Sequence, residues 1–188
     1  MKENKLIGVG KKNAPKITQK VVVAKIRKYK FNDARFLLQV HNYSVKGGFF
    51  TSQNLVKFKD HIEWLKLMLK SKNSKIYVGQ KNKNKFGYVR FDKGKNRVYE
   101  ISIANLPNFY SKGLGTKMLN LSLRKFIKEY NPKKITAVIR KFNVRSQKCF
   151  LINKFKKVAF NKNKYTVINK FNMKKDNYYE HQKQEFEK

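Results

Sequence analysis

Seven consecutive residues, Tyr110-Ser111-Lys112-Gly113-Leu114-Gly115-Thr116, have the makings of an anion site. Glycines at 113 and 115 let the backbone come close to a ligand, and amides that open a helix lack helical partners and point outward. A phosphate-bearing cofactor suits that arrangement, and so does a plain tight turn into a helix. The run is not GxGxxG, because Met118 stands three residues after Gly115. No GK[ST] follows the four-residue gap that a Walker A loop requires.

Other residues could move protons. Glu100 sits in Tyr99-Glu100-Ile101-Ser102-Ile103, where alternation puts Glu100, Ser102 and Ala104 on one face of a strand and Tyr99, Ile101 and Ile103 on the other. A carboxylate there is costly unless it faces a wet site or a partner. Partial burial would raise its pKa toward a range useful to a general base. A structural ion pair with Arg90 is the alternative. His61 precedes Trp64 by three residues, on one helical face. Histidine takes a proton near neutrality, which makes His61 the second candidate base, although a lone histidine also serves as packing. Trp64 is either core or a stacking surface. Asn143 and Ser146 have the spacing of a helix cap. Cys149, in Cys149-Phe150-Leu151-Ile152, reads as a small core residue. His41 and His181 have no acid or cysteine grouping nearby, so no metal site is assigned.

These groups need elements to position them. The strand holding Glu100, Arg97 to Asn105, feeds a Pro107-Asn108 turn, then the glycine run, then an amphipathic helix from Gly113 to Tyr130. Upstream, Val21 to Lys28 reads as a strand. Asn32 or Asp33 can cap a helix carrying Phe36, Leu37 and Val40. Gly47-Gly48 ends that pattern, and Phe49 to Leu55 is loop or short strand. Lys57 to Lys70 is a helix with Ile62, Leu65, Leu67, Met68 and Leu69 as apolar candidates. Lys75 to Gln80 and Phe86 to Asp92 are strands joined by a polar turn, and Gly94 turns the chain into the Glu100 strand. Downstream come a strand at Ile135 to Arg140, a helix at Val144 to Asn153, and a hairpin of Phe155 to Phe160 with Tyr165 to Phe171 across Asn161-Lys162-Asn163. The order gives a mixed α/β fold: a largely antiparallel sheet, helices on both faces and one β-α-β crossover. Residues 1–18 read as a basic N-terminal tail, 19–173 as the domain and 174–188 as a C-terminal tail.

The strand, Pro-x-x-Tyr-x-Lys-Gly-Leu-Gly and helix sequence resembles the cofactor motif of the GNAT N-acetyltransferases. Tyr110 stands where that family usually has Arg or Gln. The stretch Asn143-Val144-Arg145-Ser146 resembles the family's N-x-x-S/A motif. Phe150 stands where many members carry a tyrosine used as general acid. The resemblance covers roughly Val21 to Phe171. It implies a sheet of about six to seven strands splayed between the fourth and fifth. It places the pyrophosphate of acetyl-CoA over the amides of Ser111, Lys112, Gly113, Leu114, Gly115 and Thr116. The pantetheine would lie along the Ile103 to Asn105 edge, with Asn143 on its other side and Ser146 helping.

Within the family, Asp60-His61-Ile62-Glu63-Trp64, Gly87-Tyr88-Val89-Arg90-Phe91-Asp92 and Glu100-Ile101-Ser102-Ile103 are similar to the enzymes that acetylate a UDP-linked 4-amino-4,6-dideoxy sugar for nonulosonic acids. Val40 and His41 replace that group's usual Trp and Arg. The resemblance implies an amino-sugar nucleotide as substrate, with His61, Trp64 and Arg90 on the acceptor side and Glu100 as base. Acetylation of a protein N-terminus or a ribosomal protein is the alternative within the family.

Composition sets the outer bounds. The 188 residues carry 46 Lys and Arg against 11 Asp and Glu, a formal charge of +35. Such a chain attracts phosphates, nucleic acid or anionic lipid. The lysines do not gather into one block, and neither an RNP-like aromatic motif nor zinc-finger spacing is present. Specific nucleic-acid binding is therefore not expected, and a non-catalytic RNA-binding module remains the alternative outside enzymes. The charge would instead steer anionic coenzyme A and an anionic acceptor inward. Apolar residues at 40% and aromatics at 14% suffice for a core. No apolar run approaches a membrane span, the N-terminus has no secretory h-region, and the single cysteine suits a reducing cytoplasm. A homodimer is left open.

Overall fold

The computed structural model describes residues 24–50, 52–160 and 165–171. Both tails, the 161–163 turn and His181 lie outside them. In chain order the elements are β1 (Ala24–Lys28), α1 (Ala34–Lys46), α2 (Phe58–Lys70), β2 (Ser74–Lys81), β3 (Asn84–Lys93), β4 (Val98–Asn105), α3 (Leu114–Tyr130), β5 (Lys134–Arg140), α4 (Val144–Ile152), β6 (Lys156–Phe160) and β7 (Tyr165–Phe171). The stretch from Phe49 to Leu55 forms no strand among the described residues.

The strands form one sheet in the order β1-β2-β3-β4-β5-β7-β6. Every neighbouring pair is antiparallel except β4 with β5, which are parallel. Parallel neighbours need a crossover, and α3 supplies it. The two parallel strands pair only at Val98 with Lys134, Tyr99 with Ile135 and Glu100 with Thr136. Beyond Glu100 they part, as the resemblance implies, leaving the Ile101 to Asn105 edge of β4 without a strand partner on that side.

Alternation along the strands feeds two apolar layers. Tyr99, Ile101, Phe91 and Ile135 face α3 and α4, with Phe91 stacked on Phe126 at 3.9 Å and Tyr99 edge-on to the same ring at 4.8 Å. Tyr88, Ala104, Ile76 and Val78 face α1 and α2, against Leu37, Val40 and Leu65. Burial on both faces explains why these strands hold a single register.

Two local expectations are corrected. Leu67 and Leu69 are 66% and 44% exposed, while His61 and Leu65 are the buried residues of α2. A helix of this length presents one stripe to the sheet, and the 61/65 spacing defines it. Asp33 stands at the N-cap of α1 but makes no side-chain cap bond. Its carboxylate turns back instead, accepting from Arg27 at 2.6 and 2.7 Å, from the Lys30 amide at 2.8 Å and from Lys85 Nζ at 3.2 Å. Burial alone would raise the Asp33 pKa. These donors outweigh it and hold the group at about 2, so the cluster pins β1 and β3 to the start of α1.

Candidate active site

The glycine run opens a cradle at the parting of β4 and β5. The β4 ladder ends as the Leu106 amide bonds the Phe86 carbonyl, and one 3-10 turn, Pro107–Phe109, swings the chain toward α3. Ser111 and Gly113 both take positive φ, 56° and 68°, to close the turn. The first helical bond of α3 runs from the Lys117 amide to the Gly113 carbonyl at 3.0 Å. The amides of Leu114, Gly115 and Thr116 precede it and have no helical acceptor. The Leu114 side chain is fully buried in the core, which fixes the direction of its amide. Lys112 folds back, its Nζ donating to the Asn108 carbonyl at 2.8 Å.

A cavity of about 150 Å³ lies beside the start of α3, at Gly113, Gly115 and Thr116. Its walls include Ile103, Asn105, Ser111, Gly113, Gly115, Thr116, Asn143 and Ser146. The structure thus brings together all the proposed cofactor contacts except Lys112 and Leu114, whose side chains lie outside the wall. Asn105 Oδ1 is buried without a hydrogen-bond partner. The Asn105 amide is wedged between two glycines. A Cβ on Gly87 would run into its oxygen, and a Cβ on Gly115 into its nitrogen. Asn143 Oδ1 accepts the Ser146 amide at 3.1 Å, so it caps α4 while also lining the cavity. Cys149 belongs to the wall as well as the core edge. Burial pushes its thiol up to about 11 against a hydrogen bond from Thr116, so it is not a thiolate nucleophile.

Sequence reasoning missed Ser44, Phe49 and Phe109 in this wall. The segment after α1 is brought there by two ties. Asn42 bonds both the amide and carbonyl of Val56, at 3.0 and 2.8 Å, and Arg140 Nε donates to the Phe50 carbonyl at 2.8 Å.

A second, more apolar cavity of about 290 Å³ lies between α1, α2, β2 and β3. His61, Trp64 and Arg90 meet there, joined by Leu37, His41, Asp60 and Tyr88. The His61 and Trp64 rings are 5.4 Å apart, and Arg90 Cζ is 5.8 Å from the Trp64 ring. His61 is 5% exposed, and its Nε2 is buried without a partner. Burial lowers its pKa, a hydrogen bond with the Ala34 backbone opposing. His41 is lowered too, by burial first and then by Arg90 and His61. Both imidazoles are therefore neutral at neutral pH. Sequence had marked His41 only as a replacement for the subgroup's usual residue, and its place four residues after Leu37 puts it on the inward stripe of α1.

Glu100 lies outside both cavity walls. Register pairs it with Asp92 on β3 and Thr136 on β5, at the last position before the strands part. Cross-strand partners share a face, so Glu100 faces the α1 and α2 side with Arg90 and Ser102. It is exposed rather than partly buried, because its neighbours on both strands are polar and no helix covers it. Arg90 does not pair with it. Arg90 Nε donates to Asp92 Oδ2 at 2.6 Å, and Ser74 Oγ donates to Asp92 Oδ1 at 2.6 Å.

The family follows from this arrangement of splayed strands, glycine turn and α4 cap. The acetyltransferase (GNAT) family matches residues 43–155, and the chain belongs to it. It is an acetyl-CoA-dependent N-acetyltransferase. Among solved structures, yncA from Salmonella typhimurium, determined with its cofactor acetyl-CoA, shares 17% identity at a TM-score of 0.70, over 81% of this chain and 95% of that one. A ribosomal-protein-alanine N-acetyltransferase from Brucella melitensis shares 17% at 0.69, over 79% and 99%. The spermidine N-acetyltransferase of Vibrio cholerae, solved with CoA and spermine, shares 18% at 0.67, over 78% and 92%. At these identities the likeness is one of fold. No match to a curated protein was found. Among the described residues no helix is long and apolar enough to cross a membrane, and no group of three or more His, Cys, Asp or Glu could hold a metal ion.

Proposed function

We propose that the protein moves the acetyl group of acetyl-CoA to the amine of a nucleotide-linked amino sugar. The observation that carries this reading is the second cavity, where a tryptophan face and an arginine meet two neutral histidines. Aromatic faces suit sugar rings and bases, and an arginine suits an anionic substituent. The chain's formal charge of +35 favours a diphosphate acceptor by long-range steering and opposes a polycation such as a polyamine.

The residues present fit acetyl-CoA in the first cavity. The helix-start residues Gly113, Gly115 and Thr116 line it, as does Asn105, whose side-chain oxygen is buried without a partner. Acetyl-CoA, when bound, supplies the electrophilic thioester carbonyl. The amides of Leu114 to Thr116 hold a diphosphate. Ile103, Asn105 and Asn143 line the path of a pantetheine arm from two sides. Holding both reactants in one orientation accounts for a large share of rate enhancement in reactions of this kind.

The acceptor amine must lose a proton to attack directly. Glu100, at the point where the strands part and in contact with solvent, takes that proton or orients the water that does. His61 holds the acceptor through its unpaired nitrogen. Trp64 and Arg90 bind the remainder of the molecule.

Steady-state kinetics on His61→Ala and Trp64→Ala test the acceptor assignment. The expected result is an acceptor KM raised about tenfold or more, with coenzyme A affinity unchanged. Parallel loss of both affinities would remove the second cavity from acceptor binding.

A further inference from the structure

Among the described residues that wall the cofactor cavity, Arg145 is the one charged side chain. Its guanidinium carbon lies 3.8 Å from the centroid of the Tyr110 ring and 5.7 Å from that of Phe49. Tyr110 belongs to the glycine turn, Phe49 to the segment after α1, and Arg145 to the first turn of α4. Three separate parts of the chain therefore converge on this cation. It forms no ion pair among the described residues. The neighbouring Lys112, by contrast, has its ammonium occupied by the Asn108 carbonyl.

Placing a guanidinium near the start of α4 gains nothing locally. A helix N-terminus is electropositive and disfavours a cation. Contact with the ring faces offsets that cost and leaves the N–H donors free for oxygen acceptors. The planar fork of arginine matches phosphate oxygens bidentately. Tyr110 opens the turn that leads, four residues on, to the free amides at the start of α3. We propose that Arg145 grips the diphosphate of the bound coenzyme from the α4 side, completing the cradle of amides, and that Tyr110 is its platform. This assigns Tyr110 a positioning role through its ring. The inference rests on the acetyl-CoA reading of this cavity.

Calorimetric titration with coenzyme A tests it. Arg145→Ala is expected to weaken binding by about ten- to a hundredfold, the range for a lost charge-assisted contact. Arg145→Lys restores only part, since a point charge cannot reproduce the fork. Tyr110→Leu, which removes the ring, weakens binding more than Tyr110→Phe, which keeps it. The Tyr110→Leu/Arg145→Ala double variant loses less than the sum of the two single losses. Repeating the titration with 3′-dephospho-coenzyme A should give the same Arg145→Ala penalty. A penalty that vanishes with that ligand moves the contact to the 3′-phosphate and overturns the diphosphate assignment. An unchanged affinity in Arg145→Ala, with an unchanged melting temperature, overturns the proposal outright. Gly115→Glu serves as the control. If it abolishes binding while Arg145→Ala does not, only the arginine inference fails. If neither matters, the cofactor site itself is misplaced.

Discussion

Replacing Glu100 by Gln keeps its shape on β4 and removes its basicity. Glu100 is exposed, pairs with no cation among the described residues and lies outside both cavity walls. The substitution should therefore leave stability and coenzyme A affinity almost untouched, within about 0.5 kcal/mol as for other surface changes. The chemical step should respond differently. A positioned general base contributes about a hundredfold to ten-thousandfold, which corresponds to about 3 to 5 kcal/mol of barrier. His61 provides the contrast. Its pKa lies below the ordinary value, 6.5, because of burial. A His61 base would therefore place the acid limb of the rate profile below that value. The assay is kcat against pH at saturating acetyl-CoA, from about pH 6 to about pH 9, for the wild type, Glu100→Gln and His61→Gln. The expected result is a fall of at least about a hundredfold in Glu100→Gln. Wild-type turnover in that variant across the range would remove Glu100 from the proton transfer and promote His61.

Three further outcomes follow from the geometry. Gly115→Ala drives a methyl group into the Asn105 amide, whose oxygen already sits against Gly87, so the side chain must turn toward the cofactor cavity or the backbone must give. Overpacking of this kind costs about 1 to 3 kcal/mol, and urea unfolding should show that loss together with weakened coenzyme A binding. Asp33 has a folded pKa of about 2 against an ordinary 3.8. Because the folded value is the lower one, its contribution of about 2 kcal/mol is complete well above the unfolded pKa and is lost as pH falls toward 2. The stability gap between wild type and Asp33→Asn should therefore narrow below about pH 4; a gap that stays constant would deny the charge-paired account. Rising salt should raise the acceptor KM, since steering by the +35 charge is screened, and a salt-independent KM would argue against an anionic acceptor.

Most elements and the cofactor turn were legible because their signals are local. Alternation marked β2, β3 and β4 to within about two residues, and Gly113 and Gly115 marked the start of α3. The expected placement of Asn143 and Ser146 at a helix start is matched by the hydrogen bond between them. What stayed hidden depends on contacts between distant parts of the chain. His41 joins His61 only because α1 and α2 pack side by side over the sheet. Arg145 reaches Tyr110 only because α4 starts beside the glycine turn. Asp33 looked like a cap because that role is local, and its competing donors, Arg27 and Lys85, come from two strands. Glu100 looked partly buried because alternation cannot tell where two neighbouring strands separate. Leu67 and Leu69 looked inward because α2 has more apolar residues than its one buried stripe holds.

The most direct test of the account is competition among acceptors. Purified protein and acetyl-CoA are offered together a panel of UDP-linked amino sugars, polyamines and N-terminal peptides, and the acetylated products are read by mass shift. A UDP-linked amino sugar should be acetylated well ahead of the others. Preferential acetylation of peptides or polyamines would contradict the acceptor assignment while leaving the acetyltransferase fold intact.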